Sequence, residues 1–171
     1  YHISNWDDFV VSHEYVDCLL RISKNQIVWG ANHFISRIPF DSPCWIVWDK
    51  CRENQDFADC ELAWTSLKGA VKKFTYAWAG NRHGFPGAIQ GVGKATIRIH
   101  PTQKPVALYH WLLTHYAKTG QTILDTHLGS GSSAIACWEM GYALTGFEID
   151  QEYFDAAVKR IENHVKQGRL F

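Results

Sequence analysis

The residues best suited to chemistry lie in the last third of the chain. Gly129-Ser130-Gly131-Ser132-Ser133-Ala134 fits G-x-G-x-x-A, and it stands between an apolar run ending at Asp125 and a helical pattern starting near Ser132. Glycines in such a turn let the backbone approach a nucleotide-type cofactor, while an acid about 20 residues further on accepts hydrogen bonds from ribose hydroxyls. Glu148 occupies that place, at the end of the next expected strand. Asp125 then selects among cofactors. A carboxylate at a strand tip repels a pyrophosphate, whereas S-adenosylmethionine carries an ammonium and a sulfonium and no phosphate. The loop therefore points to a methyl donor, and a dinucleotide-dependent oxidoreductase is the reading that Asp125 opposes.

Charge supplies a second signal. Lys plus Arg and Asp plus Glu each total 17, for a formal net charge of +0. Residues 62 to 124 nevertheless contain no acidic residue, while holding Lys68, Lys72, Lys73, Arg82, Lys94, Arg98, Lys104 and Lys118. A long stretch of cations without carboxylates is the electrostatic footprint expected of a phosphate-backbone partner.

Three blocks carry a family resemblance: HPTQKP (100 to 105), ILDTHLGSGSS (123 to 133) and GFEID (146 to 150). They resemble the amino-group DNA methyltransferases, which modify adenine N6 or cytosine N4, in the permuted class whose catalytic half precedes its cofactor half. The resemblance runs from Ile97 to about Glu162, with WGANHF (29 to 34) and WIVWDK (45 to 50) as weaker echoes. It implies an α/β, Rossmann-like methyltransferase fold, S-adenosylmethionine as cofactor, DNA as partner, and methylation of an exocyclic amine, adenine N6 favoured over cytosine N4. A prokaryotic or phage-infected cytoplasm and a restriction-modification or phage setting follow, and a homodimer is left open.

By the same resemblance Asp125, Thr126, His127, Gly129, Gly131, Ser132, Glu148 and Ile149 hold the cofactor, and His100, Thr102, Gln103 and Lys104 close over its methionine end. Lys72, Lys73, Arg82, His83, Lys94 and Arg98 are the expected DNA contacts, with the 79 to 93 stretch reading sequence. Two departures stand out. Asp125-Thr126-His127 replaces the family's Asp-Pro-Phe, and the Asp/Asn/Ser-Pro-Pro-Tyr/Phe motif is absent, since the five prolines (39, 43, 86, 101, 105) are nowhere adjacent. Tyr1 is either the last letter of that motif or the motif lies upstream. Methyl transfer to an exocyclic amine requires acceptors that aim the nitrogen and an aromatic that stacks the base. His127, Asp49 and Asn32 are the only polar substitutes near expected strand ends. The expectation is that these residues lack their catalytic strand and transfer no methyl group alone; the alternative is a degenerate member that binds DNA or a partner without chemistry.

The elements that position these groups follow from periodicity. Ser12 caps a helix over 12 to 23, and apolar runs at 26 to 30 and 44 to 48 read as buried strands. Runs at 62 to 66 and 74 to 78 suggest an antiparallel pair, followed by a glycine-rich loop over 79 to 93. Pro105 opens a helix that Gly120 ends. A strand over 122 to 124 reaching Asp125, a helix from Ser132 to Met140, a strand from Tyr142 to Ile149 and a helix from Glu152 to Val165 complete a β-α-β-α pattern, implying a mostly parallel sheet. Tyr153, Ala157, Ile161 and Val165 mark the inner face of the last helix.

With 171 residues, 46% hydrophobic and 20% charged, the chain reads as one globular domain. Within it 1 to 78 form the rest of the catalytic half, 79 to 99 the recognition loop and 100 to 171 the cofactor half. No apolar run approaches the roughly 20 residues of a membrane helix, and the start lacks a signal-peptide pattern. Five cysteines (18, 44, 51, 60, 137) without C-x-x-C read as buried, reduced thiols with no metal.

Overall fold

A computed structural model describes residues 11–52, 58–79, 82–86 and 98–168. Tyr1, Lys94 and much of the 79 to 93 stretch therefore lie outside the described residues. The chain forms two compact units, one within residues 7–95 and one from 96 onward.

The first unit opens with α1 (His13–Ile22), whose Ser12 cap accepts a hydrogen bond from the Tyr15 backbone N–H at 3.2 Å. A cap of this kind satisfies one of the helix's free amides. Leu20 of this helix packs, with Val28, Ile38 and Trp45, on a core of Ala31, Phe34 and Trp64. Four strands follow: β1 (Ile27–Trp29), β2 (Ile46–Asp49), β3 (Cys60–Thr65) and β4 (Lys72–Thr75), in the order β1-β3-β2-β4. β3 runs antiparallel to both neighbours, and β2 pairs with β4 in parallel.

This order corrects the expected pairing of 62 to 66 with 74 to 78, because β2 lies between them. The apolar β2 buries Ile46 and Trp48 completely enough to need neighbours on both edges. β4 opens with two exposed lysines, a composition suited to an edge. The 74 to 78 run is also broken. The Tyr76 N–H donates to Asp49 O at 2.9 Å, after which β5 (Ala77–Ala79) leaves to pair with β6 (Arg82–Gly84). The expected loop thus begins as a hairpin, with Trp78 opposite His83.

The second unit holds α2 (Val106–Tyr116), β7 (Thr122–Asp125), α3 (Ser132–Met140), β8 (Ala143–Gly146) and α4 (Gln151–Lys166). β7 and β8 are parallel, with Asp125 opposite Gly146, and α3 is their crossover. Ile123 and Leu144 pack with Val106 and Tyr109 on the core residues Leu113, Ala136 and Cys137. On the helical side, the Glu139 carboxylate of α3 stands 2.5 Å from His110 Nε2 of α2 and 2.8 Å from His164 Nε2 of α4, so one carboxylate meets both neighbouring helices.

Three further expectations are corrected. β8 is shorter than 142 to 149 because the Phe147 N–H turns to Asp125 O at 2.9 Å and its carbonyl accepts from Leu128 at 2.8 Å. The chain therefore leaves the ladder to brace the glycine loop, and Glu148 stands beyond the strand. Val165 is 40% exposed, so the inner face of α4 rests on Tyr153 and Ala157. All five cysteines are free, but only Cys44 and Cys137 are buried; Cys18, Cys51 and Cys60 are exposed. Burial, then the charge of Asp125, pushes the Cys137 thiol up to about 11, which keeps it protonated and unreactive at neutral pH. No described helix is long and apolar enough to cross a membrane.

Candidate cofactor site

The site is built at the carboxyl ends of β7 and β8. Asp125 ends β7, and each of its carboxylate oxygens is engaged: Oδ1 accepts from the His127 N–H at 3.1 Å, and Oδ2 accepts a short hydrogen bond from the Ser133 hydroxyl. Glu148 is held in the same way. Its Oε2 accepts from the Gly129 N–H at 2.8 Å and its Oε1 from the Asp150 N–H at 3.1 Å. One backbone loop thus joins two carboxylates on neighbouring strand ends. Each carboxylate oxygen can accept a further hydrogen bond, and both side chains are only half-buried.

The glycines have separate reasons to be glycine. Gly129 has φ +52, and a Cβ there would meet the His100 ring at 3.6 Å. Gly131 has φ +72 and forms the left-handed entry to α3, where a Cβ would come within 2.8 Å of Ile161 Cδ1. Gly131→Ala is expected to cost about 1–3 kcal/mol, combining left-handed strain with displacement of Ile161. Gly141, at φ +77 with nothing within 4 Å, gives the comparison: Gly141→Ala carries the strain alone. Urea midpoints of the two variants separate the contact from the strain, and equal losses would remove the packing role of Gly131.

His100 is buried, and its ring stands 4.4 Å from that of Tyr153 on α4. Its Nδ1 accepts from the Thr102 N–H at 3.2 Å. Gln103 is also buried, and its Oε1 accepts from the Ile99 N–H at 3.0 Å while its own N–H bonds His100 O at 3.1 Å. The HPTQKP segment is thereby a knot of turns whose imidazole lies against the glycine loop. Thr102 is exposed and Lys104 half-buried. Thr126 Oγ1 and His127 Nδ1 lie 3.1 Å apart, and Ser132 is buried, 3.1 Å from the Ser130 hydroxyl. Ile149, directly after Glu148, is 91% exposed. An uncovered apolar side chain beside a carboxylate presents surface for a flat ring and an acceptor for a diol.

Three contributors are absent from the expected cofactor residues. Ser133 fixes Asp125. Tyr153 supports His100. Arg160 donates from Nη1 to Ser130 O at 2.7 Å and to the Ser132 hydroxyl at 2.9 Å, anchoring the loop to α4. A basic residue three positions after Ala157, beside the apolar stripe of α4, was the legible sign of it.

The expected DNA contacts are more scattered. Lys72 is exposed and makes no ion pair among the described residues, whereas Lys73 lies 3.2 Å from Asp49. Arg82 and His83 belong to β6, and Arg98 is half-buried just before the HPTQKP knot. A cavity of about 440 Å³ in the first unit is lined by Val47, Asp49, Arg52, Asp59 and Lys73 with two cysteines, away from the glycine loop in sequence. No cluster of three metal-ligating side chains occurs among the described residues.

Comparison with known proteins gives consistent matches. A family model described as DNA methylase, of the N6 and N4 type, matches residues 23–159. The type II methyltransferase M2.DpnII of Streptococcus pneumoniae is 29% identical over 115 residues, which is 67% of this chain and 35% of that protein. M.HpaI of Haemophilus parainfluenzae is 34% identical over 64 residues, 37% of this chain and 20% of that protein. The chain thus matches only about a fifth to a third of the length of these relatives. The crystal structure of the M1.HpyAVI-SAM complex superposes with a TM-score of 0.61 at 23% identity, covering 87% of this chain and 81% of that one. The likeness shows that the fold is that of the α/β methyltransferases.

Proposed function

The chain belongs to the N6/N4 DNA methylase family, and from that premise we propose that it binds S-adenosylmethionine at the glycine loop and serves methylation of an exocyclic amino group in DNA, adenine N6 ahead of cytosine N4. The observation that carries the cofactor assignment is the Asp125–loop–Glu148 bridge, two carboxylates held by backbone N–H groups around Gly129 and Gly131. Asp125 faces the cationic methionine end, Glu148 accepts from the ribose, and Ile149 covers the adenine. His100 lies against the loop at Gly129, and Gln103 ties together the turns that carry Thr102 and Lys104, the segment read as closing over the methionine end. Bound there, the cofactor supplies an electrophilic methyl group on a sulfonium. The residues described here bind and orient it; none of them is assigned a proton transfer. A dinucleotide in its place would set a pyrophosphate against Asp125.

Titration calorimetry with S-adenosylmethionine tests the reading. Asp125→Ala and Glu148→Ala are each expected to weaken binding by about tenfold to a hundredfold, the worth of a charge-assisted hydrogen bond of about 1.5–3 kcal/mol. Parental affinity in both variants would overturn the site. Nucleoside analysis of methylated duplex separates N6-methyladenine from N4-methylcytosine.

DNA meets the acid-free region in this reading, through Lys72, Arg82, His83, Lys94 and Arg98, with Lys73 partly committed to Asp49. Each phosphate contact removed flattens the salt dependence of binding by about one unit. Lys72→Gln is expected to show that change and Lys73→Gln a smaller one. Parental slopes in both would place the DNA elsewhere.

A further inference from the structure

Phe85 follows β6 and is 57% exposed, yet its ring is not loose. It stands edge-on to Tyr76 at 5.1 Å and 88°, and edge-on to Phe74 at 6.1 Å and 83°. Phe74 is buried and stacks with Tyr76 at 5.7 Å and 10°, and Trp78 tilts against Tyr76 at 6.4 Å. The Trp48 indole N–H donates to Tyr76 O at 3.1 Å, fixing the backbone of this ladder to the sheet. One edge of Phe85 is therefore seated on a packed aromatic platform while the rest of the ring faces water. Pro86 beside it is exposed as well.

The electrostatic setting of this ring differs from that of Phe40, the unit's other large exposed aromatic among the described residues. Phe40 leans on Trp64 at 5.2 Å and borders a cavity that contains Asp41. Around Phe85, by contrast, no acidic residue occurs in sequence from 62 to 124. Strand alternation puts Lys72 on the same face of β4 as Phe74, and Lys72 is exposed without an ion pair among the described residues. Asp49, whose carbonyl bonds Tyr76, has its carboxylate paired with Lys73; a packed aromatic ring in a stretch without carboxylates, which also carries the exposed Lys72, suits a polyanion whose interior can be stacked upon.

Building on the reading that the chain acts on DNA, we propose that Phe85 is the wedge that enters the base stack where the target nucleotide is extruded. An exocyclic amine in paired duplex is tied up in base pairing, so its base must leave the helix before reaction. The opened step is stabilised when an apolar side chain fills it, a role that Phe, Leu, Ile, Met and Pro serve in other duplex-bending proteins. The aromatic ladder supplies the stiffness such an insertion needs, and Lys72 supplies a phosphate contact on the same face. Phe85 is a positioning residue in this scheme and touches no reacting atom.

The test uses the full chain and two labelled duplexes of one mixed sequence, one fully paired and one with a single abasic site, read by fluorescence anisotropy. A wedge binds more tightly where the stack is already open. The parent is expected to prefer the abasic duplex by about tenfold, Phe85→Trp to keep that preference, and Phe85→Ala to lose it with an unchanged salt slope. Because Phe85 is largely exposed, thermal melts of both variants should match the parent. Retention of the preference by Phe85→Ala overturns the wedge alone. Absence of DNA binding in the parent overturns the DNA reading and the wedge with it. Loss of self-association in Phe85→Ala, seen by sedimentation and without change in either duplex affinity, assigns the ring to a contact between copies and likewise overturns the wedge.

Discussion

Tritium from methyl-labelled S-adenosylmethionine is expected to stay out of mixed-sequence duplex DNA when these 171 residues act alone, at a rate about 10⁵-fold below that of a family member that contains the adjacent-proline motif. The magnitude follows from orientation: holding an acceptor in attack geometry lowers a barrier by about 7 kcal/mol or more in favourable cases. Two of the three polar groups that would have to substitute, Asp49 and His127, are engaged elsewhere. Asp49 accepts from the Cys51 N–H at 2.9 Å and from Lys73 at 3.2 Å; the Cys51 N–H, followed by Lys73 and working against burial, holds its carboxyl below the ordinary range. His127 is bonded to its neighbour Thr126, and Asn32 lies in a single 3₁₀ turn, Ala31–His33. Incorporation by the 171 residues alone would refute the prediction.

Arg160→Ala is expected to lower unfolding free energy by about 2–4 kcal/mol, seen as a shift in urea midpoint, and to weaken cofactor binding along with it. Burial disfavours the charge of Arg160, and what offsets that cost is a pair of charge-assisted hydrogen bonds to Ser130 O and the Ser132 hydroxyl. Ser130 is itself buried, so removal of the guanidinium leaves a carbonyl and a hydroxyl short of a partner inside the loop. A loss below about 0.5 kcal/mol, the scale of an ordinary surface substitution, would show that Arg160 is peripheral.

Much of the cofactor half was legible because its signals are local. Ser12, Pro105, Gly131 and Gly141 mark helix ends by backbone chemistry alone, and α3 spans the Ser132 to Met140 range that the spacing predicts. Strand partnership is not local, and the exchange of a β3–β4 pairing for β2–β4 shows the limit: both arrangements suit the same apolar runs. Only the competition among edges, settled by the buried Ile46 and Trp48 and the lysines of β4, distinguishes them. At the site, Asp125 and Glu148 were visible from motif spacing, whereas Ser133, Tyr153 and Arg160 were not singled out. The roles of Arg160 and Tyr153 depend on α4 meeting Ser130 and His100, segments about 30 and 50 residues away, whereas Ser133 reaches Asp125 from the first turn of α3. The β8 boundary was missed for a related reason, since Phe147 and Leu128 exchange the strand's continuation for a brace across the loop.

The placement of β3 between β1 and β2 also has an entropic side. Asp49 pairs with Cys60 across a short connection, while Trp29 must reach Ala63 across one roughly three times as long, which raises the closure cost by about 1 kcal/mol at equal contact energy. Within this four-stranded sheet the β2–β3 ladder is thus the pairing the unfolded chain can close most readily, and the two outer strands find edges only once it exists. A sheet whose ends depend on its middle loses its edge strands first when thermal motion opens it, and in this sheet one of those edge strands is β4, the strand that carries Lys72 and Phe74.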